Sequence, residues 1–295
     1  MRRAAFTLVE LIIALALLGV VLGAMLGLLN RQRRFYAGAA QIVTARVTVR
    51  EAIDLLPRDF RGLSPAEGDI YAMGASSIEY RASMGISVVC TVGGSRRSIT
   101  IAPSSIGGLT QWSSEPQLGD SLWLFDPGAA ADDSDDRWRI AATTTAPSSG
   151  MCPMASGFTT SVAEESRGYA LDLDRALPAS IGPGSAVRFF RRARYELYRA
   201  SDGKWYLGYL DCVASRAIPC SEVQPVSGPY LSGASAPPGL ALTYFDGTGA
   251  VTASRDRVAR IDVISRAETS GDVAVDGMRP GPHRDSLAVS IHLRN

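Results

Sequence analysis

One carboxylate within an otherwise uncharged run is the most chemically informative residue of the sequence. The run extends over residues 6–29, and Glu10 is its only charged residue. A helix rises about 1.5 Å per residue, so the run is long enough to cross a hydrocarbon core of about 30 Å. A carboxylate at the bilayer centre costs about 3 kcal/mol and is by default functional and paired. The sequence therefore predicts a membrane anchor in which Glu10 binds a cation.

Two ordinary explanations of this segment are a cleaved secretory signal and a simple anchor. A secretory signal has an apolar region of about 7 to 15 residues and then a small-residue cleavage site. Here the apolar run is longer, an acid lies near its start, and the residues after Leu29 lack such a site. A simple anchor explains the length but not Glu10. Arginines flank both ends of the run, so charge alone does not orient the chain.

Residues 6–10, Phe-Thr-Leu-Val-Glu, stand at the head of this run and follow a five-residue basic leader, Met-Arg-Arg-Ala-Ala. They resemble the signal of type IV prepilins and type II secretion pseudoprepilins. The resemblance implies that a prepilin peptidase cuts between Ala5 and Phe6 on the cytoplasmic side and N-methylates Phe6. That family usually has Gly before the cut, and Ala5 departs from the pattern while remaining small. The resemblance also implies that Glu10 of one subunit pairs with the new amino group of Phe6 in a neighbour.

Small residues recur through the apolar run and would let helices approach closely. Gly19, Gly23 and Gly27 follow one another at intervals of four residues. Because Gly is also frequent in transmembrane helices in general, both a helix-contact role and no special role stay open.

Beyond the membrane we expect the helix to continue. The next proline is Pro57, and apolar residues recur near an i, i+3, i+4, i+7 stripe. The residues of this stripe are Ile42, Val43, Val47, Val49, Ala52, Ile53, Leu55 and Leu56. One long helix from Phe6 to about Asp59 is predicted, with its second half packed on a head domain and with fraying or a kink at Pro57.

The rest of the chain changes to short strand-like runs separated by Gly, Ser, Pro and Thr, which predicts an antiparallel β head. The predicted strands are 77–82, 86–92, 98–102, 121–126, 137–143, 168–172, 186–199, 204–211, 240–245, 257–266 and 286–294, and the predicted loops are 126–137, 144–160 and 215–238. The clearest hairpin is 194–211, because Asp-Gly at 202–203 is a strong turn signal.

The predicted fold class is therefore α+β, a long N-terminal transmembrane and amphipathic helix packed on an antiparallel β-sheet head, as in pilins. The predicted divisions are a leader at 1–5, a transmembrane helix at 6–29, an amphipathic continuation at 30–60 and an extracytoplasmic head at 61–295.

Three C-terminal stretches, 240–249, 258–263 and 289–295, are similar to the closing strands of PilW-type minor pilins and J-type minor pseudopilins. In physical terms they predict a hairpin and an edge strand of the head. The length of 295 residues favours the PilW type.

The four cysteines, Cys90, Cys152, Cys212 and Cys220, all lie in the predicted head. An even number in an extracytoplasmic domain is consistent with disulfides, and four cysteines allow three pairings. We prefer closure of the short loop between Cys212 and Cys220, which leaves Cys90 with Cys152. Zinc is the alternative, but neither a C-x-x-C motif nor a nearby His supports it.

Two further motifs have simpler explanations than the chemistry they suggest. Residues 119–122, Gly-Asp-Ser-Leu, match the tetrapeptide of GDSL hydrolases, in which the Ser is a nucleophile; here Ser121 is mid-chain, and neither His283 nor His292 has an Asp three residues before it. The acidic loop offers oxygen ligands that suit Ca²⁺, although a solvated loop between two strands explains it more simply. Its carboxylates are Asp132, Asp133, Asp135 and Asp136.

The formal net charge of +1 gives no basic footprint for nucleic acid. The resemblance implies a noncatalytic minor pilin or minor pseudopilin that helps initiate or cap a type IV pilus or type II secretion pseudopilus. Its partners would be other minor pilins or pseudopilins, the assembly platform protein, the membrane, and the prepilin peptidase as processing enzyme. No cofactor is expected. The chain would lie in the inner membrane with a cytoplasmic N-terminus, or at a pilus or pseudopilus tip.

Two alternatives belong to other classes of protein. A membrane-tethered carbohydrate- or substrate-binding module would be favoured if Trp112, Trp138 and Trp205 shared one exposed surface. An anchored hydrolase would require a catalytic triad around Ser121.

Overall fold

A single long helix, α1 (Leu8–Phe60), precedes a head made of β-strands. The computed structural model describes residues 8–104, 110–130, 132–212, 220–273 and 280–294. Within those ranges the head contains fourteen strands arranged in two antiparallel sheets. The predicted α+β architecture, a long N-terminal apolar helix followed by an antiparallel β head, is confirmed.

The second half of α1 packs on the head through one face. Its buried residues are Ala45, Thr48, Val49, Ala52, Leu56, Pro57 and Phe60. Steps of three or four residues place most of them on one side of a helix. The predicted stripe is therefore partly wrong, because Val43 and Val47 are 60% and 49% exposed. Since successive residues turn by about 100°, these two valines point away from the face that carries Ala45 and Ala52.

Pro57 does not end the helix. The helix continues to Phe60, and the amide of Arg61 donates to the carbonyl of Pro57 at 3.2 Å. A proline lacks the N–H that would bond the preceding turn, so it weakens the helix locally. The chain leaves the helical path one turn later, within one residue of the predicted end at Asp59.

The large sheet has eleven strands. They are β1 (Ile70–Met73), β2 (Ser77–Val92), β3 (Ser98–Ile101), β4 (Gln111–Trp112), β5 (Ser121–Asp126), β6 (Arg137–Ala142), β7 (Ser148–Gly150), β8 (Gly168–Asp172), β9 (Ala186–Arg199), β10 (Trp205–Asp211) and β11 (Val223–Tyr230). The main path is β11-β10-β9-β2-β3-β8-β7; β1 and β4 pair with β2, and β5 pairs with β9 and β6. A short helix, α2 (Val162–Glu165), precedes β8.

The small sheet contains β12 (Leu240–Asp246), β13 (Val258–Glu268) and β14 (Arg284–His292), in that order. All three are antiparallel to their neighbours, and both β13 and β14 lie against α1. The hairpin and edge strand predicted for the C-terminal stretches are confirmed.

The predicted hairpin at 194–211 is also confirmed. Trp205 pairs with Arg199, and the register continues without a break to Asp211. Gly203 has a φ of +81° in the connecting turn, a conformation that glycine adopts readily. Asp202 supports the turn by accepting a hydrogen bond from the amide of Lys204 at 3.0 Å.

Several element predictions are wrong. The predicted strands 77–82 and 86–92 form the single strand β2, whose pairing with β9 shifts register between Ser83 and Gly85. Strand β11 lies inside the predicted loop 215–238, and β7 lies inside the predicted loop 144–160. Strand β11 was predicted as a loop because it contains Pro225 and Pro229, although proline is tolerated in a strand at the edge of a sheet. Strand β7 is only Ser-Ser-Gly and has no apolar alternation.

Candidate functional site

The first half of α1 exposes apolar side chains on every side. This part of the helix is, by length and composition, apolar enough to span a membrane, and none of its apolar window is buried against the head. Glu10 lies in the first described turn and is exposed. A Cβ atom added at Gly19, Gly23 or Gly27 would have no described atom within 4 Å. The described part of the chain therefore leaves this row of glycines uncovered. The predicted processing residues Ala5 and Phe6 lie outside the described residues.

A carboxylate joins the end of this helix to the large sheet. The hydroxyl groups of Tyr80 and Tyr195 both donate to Oδ2 of Asp59, at 2.7 and 2.9 Å. Phe60 packs edge-on against Tyr80 with the ring centroids 5.2 Å apart. Burial raises the pKa of both tyrosines, and the Asp59 carboxylate raises it further, so both remain protonated donors. The anchor is therefore held to β2 and β9 by directional bonds as well as by apolar packing.

Two disulfides link the head. Cys90 on β2 bonds to Cys152, 62 residues away in sequence, and Cys212 bonds to Cys220, eight residues away. These are the pairings that the sequence analysis preferred. Because each sulfur atom is bonded to another, none of these cysteines is a thiolate available to zinc.

The acidic loop uses its carboxylates to hold its own backbone. Oδ1 of Asp132 accepts from the amide of Ser134 at 3.2 Å, and Oδ2 of Asp135 accepts from the amide of Ala129 at 2.7 Å. These bonds lower the pKa of both carboxyl groups, with the Ser134 hydroxyl contributing most at Asp132. Among the described residues there is no group of three His, Cys, Asp or Glu side chains that could hold a metal ion. Asp133 and Asp136 complete the same turn.

The Gly-Asp-Ser-Leu tetrapeptide contributes a buried ion pair. Asp120 accepts two hydrogen bonds from Arg191, at 2.8 and 2.9 Å, and both side chains are almost fully buried. Arg191 also bonds Asp211 at 3.1 Å. Ser121 begins β5 and pairs with Ala142 and Phe190 in the sheet. Asp120 thus has a structural partner, and Ser121 is a strand residue.

The sequence analysis missed this ion pair, although it left a detectable signal. On β9 the inward positions are Val187, Phe189, Ala193, Tyr195 and Leu197, and Arg191 occupies an inward position in the same alternation. A charge at such a position needs a buried counter-charge. The pattern identifies Arg191, but it does not identify Asp120, which lies 71 residues away.

The tryptophans named for the binding-module alternative do not form one surface. Trp112 and Trp205 pack against the main core, whereas Trp138 is 39% exposed. The guanidinium of Arg188 covers the Trp138 ring at 5.8 Å, and Trp205 pairs with Arg199. Residues 188 and 199 are an odd number apart on β9, so they point to opposite faces of the sheet.

A surface cleft of about 590 Å³ is lined by Trp112, Glu115 and Tyr169, among other residues. The Tyr169 hydroxyl donates to Oε1 of Glu115 at 2.5 Å. Burial and this carboxylate raise the pKa of Tyr169 to about 12. Tyr169 is therefore a protonated donor that is already bonded to Glu115.

The N-terminal segment has a recognisable sequence motif. Residues 1–26 match the family described as the prokaryotic N-terminal methylation motif. This match supports a type IV pilin-like protein. No curated protein and no solved structure shows significant similarity to the chain.

The matched motif overlaps the first part of the long helix. The matched residues end at 26, within the exposed apolar half of α1. The motif implies processing by a prepilin peptidase and association with pilus or pseudopilus machinery. The N-terminal apolar helix fits membrane anchoring of a pilin-like protein.

Proposed function

We propose that this chain is a minor pilin or minor pseudopilin, a noncatalytic subunit that helps initiate or cap a type IV pilus or type II secretion pseudopilus. The observation that carries the proposal is the methylation motif at residues 1–26, placed at the start of a helix that continues without interruption into the head. The C-terminal stretches are similar to both PilW-type minor pilins and J-type minor pseudopilins, and the PilW type is the subtype that we propose from the length of the chain. The proposal also includes the boundaries between the leader and the transmembrane helix (5/6), between that helix and its amphipathic continuation (29/30), and between the continuation and the head (60/61).

Processing creates a new amino group close in sequence to Glu10. Cleavage between Ala5 and Phe6 leaves an amino group on Phe6 at the membrane depth of the carboxylate four residues later. A buried ion pair that loses one partner is strongly destabilised, so pairing of Glu10 with Phe6 of a neighbour would fix the register of helices during assembly. The uncovered row of Gly19, Gly23 and Gly27 supports close helix approach.

The head is suited to an extracytoplasmic location. Its two disulfides form and persist in oxidising compartments. The proposed orientation therefore has the N-terminus in the cytoplasm, α1 across the inner membrane and the head outside. Other minor pilins or pseudopilins and the assembly platform protein would contact the anchor and the edges of the head.

Fibre assembly in cells tests this function. We expect deletion of the chain to reduce the number of surface fibres or the secretion that depends on a pseudopilus, and we expect the wild-type chain to restore it. Glu10→Ala should fail to restore assembly, although its head folds and its leader is removed. Leu11→Ala, which changes a neighbouring residue without removing a charge, is the matched control and should restore assembly. Full assembly with Glu10→Ala would contradict the proposed role of the carboxylate.

A further inference from the structure

The edge strands of the two sheets differ in how readily they could pair with a further strand. Strand β11, at one edge of the large sheet, contains Pro225 and Pro229 and has two register shifts against β10. Strand β7, at the other end of the main path, has three residues. Prolines, irregular register and short length all discourage pairing with a further strand. Strand β14 has nine residues, no proline and unbroken register with β13.

The backbone of β14 leaves alternate residues directed away from β13. The amide of Leu293 donates to Ala259, and the amide of Thr269 donates to His283, which shows that the odd-numbered residues bond β13. In an antiparallel pair the alternate residues direct their N–H and C=O groups to the other side. These residues are Arg284, Ser286, Ala288, Ser290 and His292, and all five are exposed. Among the described strands, only β13 pairs with β14.

An exposed apolar side chain lies on this edge strand. Arg46 of α1 pairs with Asp285 of β14 at 3.1 Å, which places the start of β14 beside the helix. Leu287, two residues further along β14 and on the same face of the strand as Asp285, is 37% exposed. A strand added to β14 would place one of its own side chains beside Leu287.

The direction of β14 constrains the added strand. Its start lies beside Arg46, and the amide of Arg294, just after its end, donates to the carbonyl of Leu63, just after α1. Strand β14 therefore runs in the same direction as α1, away from the proposed membrane. An antiparallel addition must run toward the membrane. In a second copy anchored in the same membrane, β14 also runs away from the membrane. Two copies therefore cannot join by antiparallel pairing of β14 with β14.

We propose that β14 accepts, by antiparallel strand addition, a β-strand of a different membrane-anchored pilin-like subunit. The added strand runs toward the membrane and places an apolar side chain beside Leu287. Main-chain hydrogen bonds supply the affinity, and the contact with Leu287 supplies the side-chain selection. The identity of the partner as a fibre subunit rests on the proposed function; the open edge of β14 does not.

Proline scanning separates strand addition from ordinary side-chain contact. Ser290→Pro removes an N–H that points away from β13, so the bonds of the small sheet are kept. Ser290→Ala is the matched control, because it changes the side chain and retains that N–H. Both full-length variants are first compared with wild type by thermal unfolding in detergent.

The measurement is photo-crosslinking in cell membranes from a benzophenone amino acid placed at Ala288, with the crosslinked peptides identified by mass spectrometry. A probe at Thr248, on the exposed turn after β12, is the positional control. We expect the Ala288 probe to label a strand of another protein with a prepilin-type N-terminus. Ser290→Pro should reduce labelling at least tenfold, and Ser290→Ala should leave it unchanged.

Three results would overturn the proposal: labelling of a second copy of this chain, labelling of a protein without that N-terminus, or labelling that Ser290→Pro does not reduce. Absence of labelling from a membrane-bound chain with a mature N-terminus would also overturn it and would leave the proposed function standing. If Ser290→Pro unfolds the head, the Ala288 and Thr248 probes in the otherwise unchanged chain still decide between the outcomes.

Discussion

Tyr80 and Asp59 connect the head to the anchor helix through a hydrogen bond of 2.7 Å from the tyrosine hydroxyl to the carboxylate. Tyr195 donates to the same oxygen from the neighbouring strand. Two strands of the large sheet thus share one acceptor on the last turn of α1. This contact joins the end of the helix to two adjacent strands, β2 and β9.

Loss of the shared acceptor should destabilise the head. Asp59→Ala leaves two largely buried tyrosine hydroxyls without their acceptor, and each unmet group costs about 1–3 kcal/mol. Tyr80→Phe should cost less, because Tyr195 still donates to Asp59. Urea unfolding of the full chain in detergent measures both changes. Asp54→Ala, at an exposed position of the same helix, is the control and should have little effect; equal stability of Asp59→Ala and wild type would contradict this role.

The buried pair of Arg191 and Asp120 should show strong coupling. Arg191→Met leaves the Asp120 carboxylate buried without its cation, and breaking a buried pair costs about 3–5 kcal/mol. The double variant Arg191→Met with Asp120→Asn should recover part of that loss, because no uncompensated charge remains. The free energies of unfolding of the two single variants and the double variant form the cycle. Arg188→Met, an exposed change on the same strand, is the control, and additive losses in the cycle would show that the two residues are not coupled.

Acid should weaken the head through Asp126. The Ser180 hydroxyl and the Arg139 guanidinium lower the pKa of this carboxyl group from 3.8 to about 2. A lowered pKa in the folded state means that the stabilisation is complete above the ordinary value and is lost as the pH falls toward about 2. We expect Asp126→Asn to be less stable than wild type at pH 6, with the difference shrinking between about pH 4 and pH 2. A difference that does not change with pH would contradict the assignment.

The sequence was sufficient for features whose signals are local. The anchor followed from one long apolar run that contains a single charged residue. The β9–β10 hairpin followed from alternation on both sides of Asp202-Gly203. Features that depend on position in the sheet were not predictable. Strand β11 contains two prolines that only an edge accommodates, and its edge position is set by pairing with β10.

The candidate sites show the same division. Arg191 could have been found as a charge at an inward position of β9. Its partner Asp120 could not, because it lies 71 residues away in sequence, beyond the reach of any local pattern. The buried face of α1 also depended on the head, which covers Val49 and Ala52 and leaves Val43 and Val47 exposed. Sequence periodicity predicted the helix, and packing against the head determines which face of the helix is buried.

The two disulfides should contribute unequally to the free energy of unfolding of the head. In the chain-entropy account, a cross-link that closes a longer loop restricts the unfolded chain more. The Cys90–Cys152 bond closes a separation of 62 residues and the Cys212–Cys220 bond one of eight. We expect losses of about 4 and about 2.5 kcal/mol when the respective pairs are replaced by Ala. Denaturant unfolding of the two paired-Ala variants measures this order, and a larger loss for the Cys212–Cys220 variant would contradict it.

The N-terminus of the mature chain tests the central claim most directly. The intact mass and N-terminal sequence are measured on protein from membranes of cells with and without the prepilin peptidase. With the peptidase, we predict a chain that begins at N-methylated Phe6, and a larger processed fraction for Ala5→Gly if Ala5 slows the cut. Without the peptidase, the chain should begin at Met1. A Met1 start in both strains, or a cut beyond Leu29, would contradict the assignment as a processed pilin-like subunit.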